Sequence, residues 1–141
     1  MKIILANIGK AHDAEYVGLI NEFTNRINKY IVAEWMIINS DQAFLEKVKS
    51  DDYFILLDER GKELDNNNFV KLIEQVYNSG KKRLIFLIGG AYGVNDNVKS
   101  RADLTMSFSK LVFPHMLMRI ILAEQLYRAH TIMKGEKYHH E

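Results

Sequence analysis

Leu84-Ile85-Phe86-Leu87-Ile88-Gly89-Gly90-Ala91-Tyr92-Gly93 runs five apolar residues straight into a glycine-rich turn. An apolar run this short, with no polar alternation, reads as a strand covered on both faces, as in a parallel sheet. Two readings of the turn stand side by side. Glycines at the C-terminal end of such a strand let backbone approach a ligand, and they also allow a tight strand-to-helix turn at positive φ. Working outward, Tyr53–Leu57 is a second continuous apolar run, and Lys2–Ile8 and Ile31–Ile38 are two further strand candidates. Leu104–Phe108 is a weaker fifth. Between them Glu15–Tyr30 places Val17, Ile20, Phe23, Ile27 and Tyr30 at helical spacing. Asp41–Lys49 opens behind the N-cap candidate Ser40. Asn66–Asn78 repeats the pattern with Phe69, Leu72, Ile73 and Val76, and stops at Gly80. Strands alternating with helices predict one α/β domain over residues 1–141, a mostly parallel sheet flanked by helices.

Composition agrees and narrows the function. The chain has 141 residues, 48% hydrophobic and 26% charged, an ordinary globular balance. With no cysteine, a disulfide scaffold, a Cys-ligated zinc site and a thiol nucleophile are all excluded. Lys+Arg 19 against Asp+Glu 18 excludes a nucleic-acid binder that works by overall positive field. Met1–Ile8 is too short for a secretion signal and runs into Gly9-Lys10 without a small-residue cleavage site. Met116–Met133 carries Arg119, Glu124, Gln125, Arg128 and His130, too many polar groups for a membrane span. A cytoplasmic protein with no membrane contact is expected.

The last helix is apolar nearly all round. Pro114, the only proline, is placed to be its first residue. From His115 to about Met133 apolar side chains fall at almost every azimuth, the pattern of a helix buried on more than one side. In a domain this small the second cover is expected to be a partner subunit. Two polar strips interrupt the surface: His115, Arg119 and His130, and opposite them Glu124, Arg128 and Thr131. Read plainly, they are solvated edges with an i,i+4 pair between Glu124 and Arg128.

The glycine turn is not G-x-G-x-x-G and lacks the Gly-Lys-Ser/Thr ending of a phosphate loop, so a small ligand without phosphates fits it best. Asn7-Ile8-Gly9-Lys10-Ala11-His12 is too poor in Ser, Thr and Gly for a flavodoxin-type phosphate loop. Four of the five histidines lie from His115 onward, but none is spaced for a metal, and no metal is expected. The tail Lys134–Glu141 is either a frayed terminus or, through its Tyr138-His139 pair, the completion of a site that handles an anion or a base.

In order along the chain come Leu57-Asp58-Glu59-Arg60-Gly61-Lys62, Leu87–Gly93, Ser107-Phe108-Ser109-Lys110-Leu111-Val112-Phe113-Pro114-His115, Arg119 through Glu124–Ala129, and Gly135-Glu136-Lys137-Tyr138-His139. This series closely resembles the small bacterial 23S rRNA pseudouridine-N3-methyltransferases of the SPOUT class. The resemblance spans essentially the whole chain and is strongest from Leu87 onward. It implies a single SPOUT-type domain with a C-terminal trefoil knot, S-adenosyl-L-methionine as cofactor, and a homodimer acting on 23S rRNA within the ribosome. The cofactor positions it implies are Leu57, Gly89, Gly90, Phe108, Ser109, Lys110, Leu111, Val112 and Phe113. Tyr138, His139 and Arg128 would be catalytic, with His139 as proton acceptor. Arg119, His115 and Lys137 would meet substrate, Arg119 and Arg128 by steering phosphates or stabilising the imide anion. A non-catalytic knotted dimer that keeps the pocket is the alternative. Two departures from the family pattern are visible: His140 and Glu141 stand where a basic residue usually follows Tyr-His, and the stretch from Asn39 to Asp52 is short. From Lys99 onward seven Lys/Arg face four acidic residues, so the small basic excess sits where the site is expected.

Overall fold

A computed structural model describes residues 1–140; the expected departure at Glu141 lies outside the described residues. In chain order the elements are β1 (Lys2–Ile8), α1 (Ala14–Ile27), β2 (Val32–Ile38), α2 (Asp41–Lys47) and β3 (Asp52–Glu63). They continue as α3 (Asn66–Tyr77), β4 (Arg83–Ile88), α4 (Asp96–Arg101), β5 (Leu104–Ser107) and α5 (His115–Met133). The strands form one sheet in the order β2-β1-β4-β3-β5, and each pairing is parallel.

The pleat sorts the apolar runs into two cores, because successive side chains point to opposite faces. Ile3, Leu5, Ile55, Leu57, Leu84, Phe86 and Ile88 pack with Ile27, Phe69, Ile73, Leu122 and Leu126, which belong to α1, α3 and α5. Ile4, Ala6, Phe54, Leu56, Ile85 and Leu87 face the other way, onto Phe44 of α2 and Val98 of α4. The continuous runs are therefore the doubly covered strands that the sequence predicts. Helix starts also follow the expected chemistry. Ser40 accepts from the Ala43 N–H at 3.1 Å, and Asp65 accepts from the Asn68 N–H at 2.8 Å.

Four features depart from the sequence reading. β3 continues beyond Leu57 to Glu63, through polar and partly exposed residues that an apolar pattern cannot mark. Along it Leu57 and Lys62 both pair with Met106 of β5, so residues 58–61 form an excursion between them. Gly61 makes the close return possible: a Cβ there would lie 2.7 Å from the Met106 carbonyl carbon. Second, α4 is six residues long with Val98 as its one buried residue, too short for periodicity to reveal. Third, Pro114 is the N-cap of α5 and not its first helical residue.

The fourth departure concerns the polar strips of α5, which are not solvated edges. Arg119, His130 and Thr131 are buried, while Glu124 and Arg128 do form the expected pair at 2.6 Å. The His130 ring donates from Nδ1 to the Leu126 carbonyl at 2.6 Å and accepts the Tyr77 hydroxyl at Nε2, 2.7 Å away. Burial lowers the pKa of His130 from its ordinary 6.5 and raises that of Tyr77. His12 is lowered too, by burial and then by the neighbouring Arg119 charge.

Two expectations follow from this packing. Since the folded state binds protons on His130 and His12 less readily than the unfolded chain, stability is full above pH 6.5 and is lost as pH falls below it. The thermal midpoint should therefore drop between pH 7 and about pH 5, and His130→Gln should flatten that drop. Gly61→Ala should cost about 1–3 kcal/mol in a urea titration, because the added methyl meets backbone that cannot move aside.

Candidate active site

In a parallel sheet the C-terminal strand ends share one edge, and here the excursion within β3 and the turns after β4 and β5 enclose a cleft of about 420 Å³. Leu57, Gly89, Gly90, Phe108, Ser109, Leu111, Val112 and Phe113, all expected from the sequence, line it. His115 and Met118, from the first turn of α5, complete the wall. Lys110 does not line it: the side chain is 85% exposed, with Nζ 3.8 Å from Glu63.

The tight-turn reading of the glycines holds, by two different constraints. Gly93 is the one at positive φ, +82°, and its N–H closes the turn on the Gly90 carbonyl at 2.9 Å. Gly89 is needed for close approach, since a Cβ there would lie 2.8 Å from Val94 Cγ1. Gly90 lines the cleft with no atom nearer than 3.7 Å to an ideal Cβ. The loop after β5 satisfies its own backbone through serines. Ser107 Oγ donates to the Ser109 carbonyl at 2.6 Å and accepts the Ser109 N–H at 3.0 Å, and Ser109 Oγ accepts the Leu111 N–H at 3.0 Å.

Sequence reasoning missed Asp58, Glu59, Arg60 and Ser107 as cleft residues. The Leu57–Lys62 motif carried a signal for the first three. Arg60 forks onto Asp58 with two bonds of 3.0 Å, which holds the Asp58 carboxyl below its ordinary range against the effect of burial. The cleft thus offers apolar walls, backbone polar groups and carboxylates, and its one cation is already paired. That donor set suits a ligand with an aromatic base, sugar hydroxyls and a cationic amino-acid end. It does not suit a phosphate. The volume falls within the roughly 300–1,000 Å³ of small-ligand sites.

A second cluster lies at the other end of α5. Arg128 holds Glu124 Oε1 through Nε (2.9 Å) and Nη2 (2.6 Å), and donates from Nη1 to His139 Nδ1 at 3.0 Å. Tyr138 donates to Glu124 Oε1 at 3.3 Å, sits edge-on to Tyr127 with ring centroids 4.6 Å apart, and lies under the Arg128 guanidinium. Burial first, then the Glu124 charge, raises the pKa of Tyr138. The tail is not frayed: Tyr138 and His139 are half-buried and docked onto α5. Lys137 is exposed beside them.

Two of the expected site residues are placed apart from this cluster. Arg119 is 1% exposed, with Nη1 donating to His12 Nδ1 at 2.9 Å and Nη2 to the Lys10 carbonyl at 2.8 Å. A guanidinium so enclosed has no surface charge with which to steer phosphates; it pins the β1–α1 turn to α5. His115 belongs to the cleft. None of Arg128, Tyr138 and His139 lines that cleft. From His115 to Arg128 the helix advances about 20 Å at 1.5 Å per residue.

The chain is similar to known proteins over its length. The sequence profile described as Predicted SPOUT methyltransferase matches residues 1–139. The Ribosomal RNA large subunit methyltransferase H of Christiangramia forsetii is 40% identical, with 99% of each chain covered. The protein of that name from Enterococcus faecalis is 37% identical, again over 99% of each. Among solved structures, that of a probable methylase family protein from Haemophilus influenzae superposes with a TM-score of 0.55 at 12% identity, covering 94% of this chain and 66% of that one. That likeness speaks for the fold, and the sequence matches speak for descent. No helix among the described residues is long and apolar enough to cross a membrane. With the profile running from the first strand into the docked tail, the chain belongs to the SPOUT methyltransferase family.

Proposed function

We propose that this chain is an S-adenosyl-L-methionine-dependent methyltransferase that modifies N3 of a pseudouridine in 23S rRNA, acting as a cytoplasmic homodimer on the assembled ribosome. The relatives named as large-subunit rRNA methyltransferases support the substrate class. The observation that carries the reading is the separation of the cleft from the Arg128–Tyr138–His139 cluster by most of the length of α5. One chain does not bring its own tail to its own cleft. Two chains whose α5 helices lie antiparallel, related by a two-fold axis perpendicular to those helices, would bring each tail to the other's cleft, because an isologous interface exchanges contacts reciprocally. Leu111, Val112 and Leu117, exposed by 72%, 75% and 41% around the cleft, supply apolar surface for such an interface. The C-terminal trefoil knot belongs to this reading as well.

Leu57, Gly89, Gly90 and the Phe108–Phe113 loop would hold the cofactor, with adenine against the apolar walls. Glu59 would meet ribose hydroxyls or the cationic end, with Asp58 beside it held by the Arg60 fork. When bound, S-adenosylmethionine supplies an electrophilic methyl group on a sulfonium, open to in-line attack. The chain's own task is to position the base, exclude water and remove the imide proton. N3 of pseudouridine is protonated at neutral pH, so methylation needs a proton acceptor. His139 Nδ1, which faces Arg128 in this structure, takes that proton once the Arg128 contact opens. The released Arg128 N–H then stabilises the imide anion by a charge-assisted hydrogen bond. Tyr138 packs against the face of the target base, and Lys137 contacts phosphate. The weak overall charge fits recognition of an assembled particle by shape, with poor binding to naked RNA.

Three measurements test the reading. His139→Ala should lower methyl transfer to ribosomes by about 10²–10⁴-fold and leave cofactor affinity unchanged by calorimetry; unaltered turnover removes His139 from the role. Ser107→Ala removes two bonds that shape the cleft loop and should weaken cofactor binding about five- to ten-fold. Gly90→Trp fills the cleft without steric conflict at the backbone. Mixing and reassociating it with His139→Ala should restore about a quarter of the wild-type sites, the statistical yield for a shared site in a two-fold dimer. No recovery in the mixture, with heterodimers demonstrated, would falsify the shared site. Cofactor binding without methyl incorporation into rRNA would favour the non-catalytic dimer.

A further inference from the structure

The tail residues that carry the proposed chemistry follow α5 by only a few positions, and their direction is set from outside the cluster. Gly135, at φ +67°, turns the chain out of the helix, and the Glu136 N–H returns to the Thr131 carbonyl at 2.9 Å. The Glu136 carboxylate then accepts the Tyr30 hydroxyl at Oε2, 2.7 Å away. Tyr30 comes from the turn between α1 and β2, more than a hundred residues earlier in the chain.

Tyr30 is itself held on two sides. Its N–H bonds to the Ile27 carbonyl at 2.9 Å, and the next turn is clamped by Asn28, whose side chain both donates to and accepts from the Ala33 backbone. Its ring stacks on His130, with centroids 5.6 Å apart and an interplanar angle of 22°. His130 is 4% exposed and fixed at both ring nitrogens, by Leu126 and by Tyr77 of α3. A line of contacts thus runs from α3 through a buried histidine to an aromatic ring, and from its hydroxyl to Glu136 of the tail. Burial and the Glu136 carboxylate push the Tyr30 hydroxyl up to about 12, so it stays a donor at working pH. Nothing in the methyl-transfer chemistry itself requires Tyr30, Tyr77 or His130.

We propose that Tyr30, seated on His130, is a positioning residue that fixes Glu136 and thereby aims Tyr138 and His139 at the target base. This rests on the proposed role of the tail. A hydroxyl-to-carboxylate bond at this point sets the direction of two catalytic side chains, and a misplacement of about 1 Å at a reacting group can cost roughly a hundredfold in rate.

The test uses the full-length protein with ribosomes lacking the modification, and compares Tyr30→Phe, Glu136→Ala, Glu136→Gln and the Tyr30→Phe/Glu136→Ala double variant. Tyr30→Phe keeps the ring on His130 and removes the hydroxyl. The expected result is that Tyr30→Phe and Glu136→Ala each lower kcat about tenfold, with cofactor KM and thermal midpoint unchanged. Glu136→Gln, whose amide oxygen still accepts the hydroxyl, should retain most activity, and the double variant should be no slower than either single one. Wild-type kcat in Tyr30→Phe, or a loss in Glu136→Gln as large as in Glu136→Ala, overturns the proposal. A second readout does not depend on turnover: the amide and ring NMR resonances of Tyr138 and His139 should shift in Tyr30→Phe and stay in place in Glu136→Gln. If the wild-type protein transfers no methyl to ribosomes, the functional reading fails; unmoved tail resonances in Tyr30→Phe would then overturn the positioning as well, and shifted ones would sustain it.

Discussion

β1, β4 and the first half of β3 leave no face for water. Ile3 to Ala6, Phe54 to Leu56 and Leu84 to Leu87 are at most 2% exposed, and each Ile, Leu or Phe among them contributes about 1.5–3 kcal/mol of burial. A strand buried on both faces has to be followed by a covering helix, so the chain returns each time to start the next strand parallel to the last. The consequence is positional. The excursion within β3 and the turns after β4 and β5 gather at one edge. The cleft is a product of that edge, and its lining comes from loops freed of structural duty by the sheet beneath them.

The helix α5 carries the other half of the design. Its first turn walls the cleft and its last turn launches the tail, while its middle is locked by Leu122, Ala123, Leu126 and Ala129 against the sheet. The polar side chains along it are spent on three separate tasks. Arg119 ties down the β1–α1 turn, Glu124 and Arg128 hold the tail, and His130 supports Tyr30. A helix with a single solvated face could not do this. Because α5 is contacted from several sides, polar groups at different azimuths meet different partners.

Much of the fold was legible for a physical reason. Apolar runs of strand length, helical spacing of Phe69, Ile73 and Val76, and caps such as Ser40 are local signals, and they survive in a single sequence. The extension of β3 was not legible, because its residues after Leu57 are mostly polar and partly exposed, and Lys62 and Glu63 pair with Met106 and Ser107, more than forty residues away. α4 offered one buried residue, and one is no period. At the site, the glycine turn and the Phe108–Phe113 loop were visible as motifs. Lys110 was carried in with that loop, though its side chain turns outward to Glu63. Arg119 looked like a free cation on a polar strip, and nothing local announces that His12 and Lys10 enclose it.

The amino-acid sequence by itself determined the layered α/β architecture, the glycine turn without a phosphate motif, and the family to which the motifs belong. Those depend on short-range periodicity and on residue types that few other chemistries would require. The tertiary structure alone decided which polar side chains are available. It buried Arg119 and His130, docked Tyr138 and His139 onto α5, and joined Tyr30 to Glu136. Each of those outcomes is a contact between residues distant in sequence or a matter of solvent exposure, and a charge or hydroxyl takes its role from its neighbours in space.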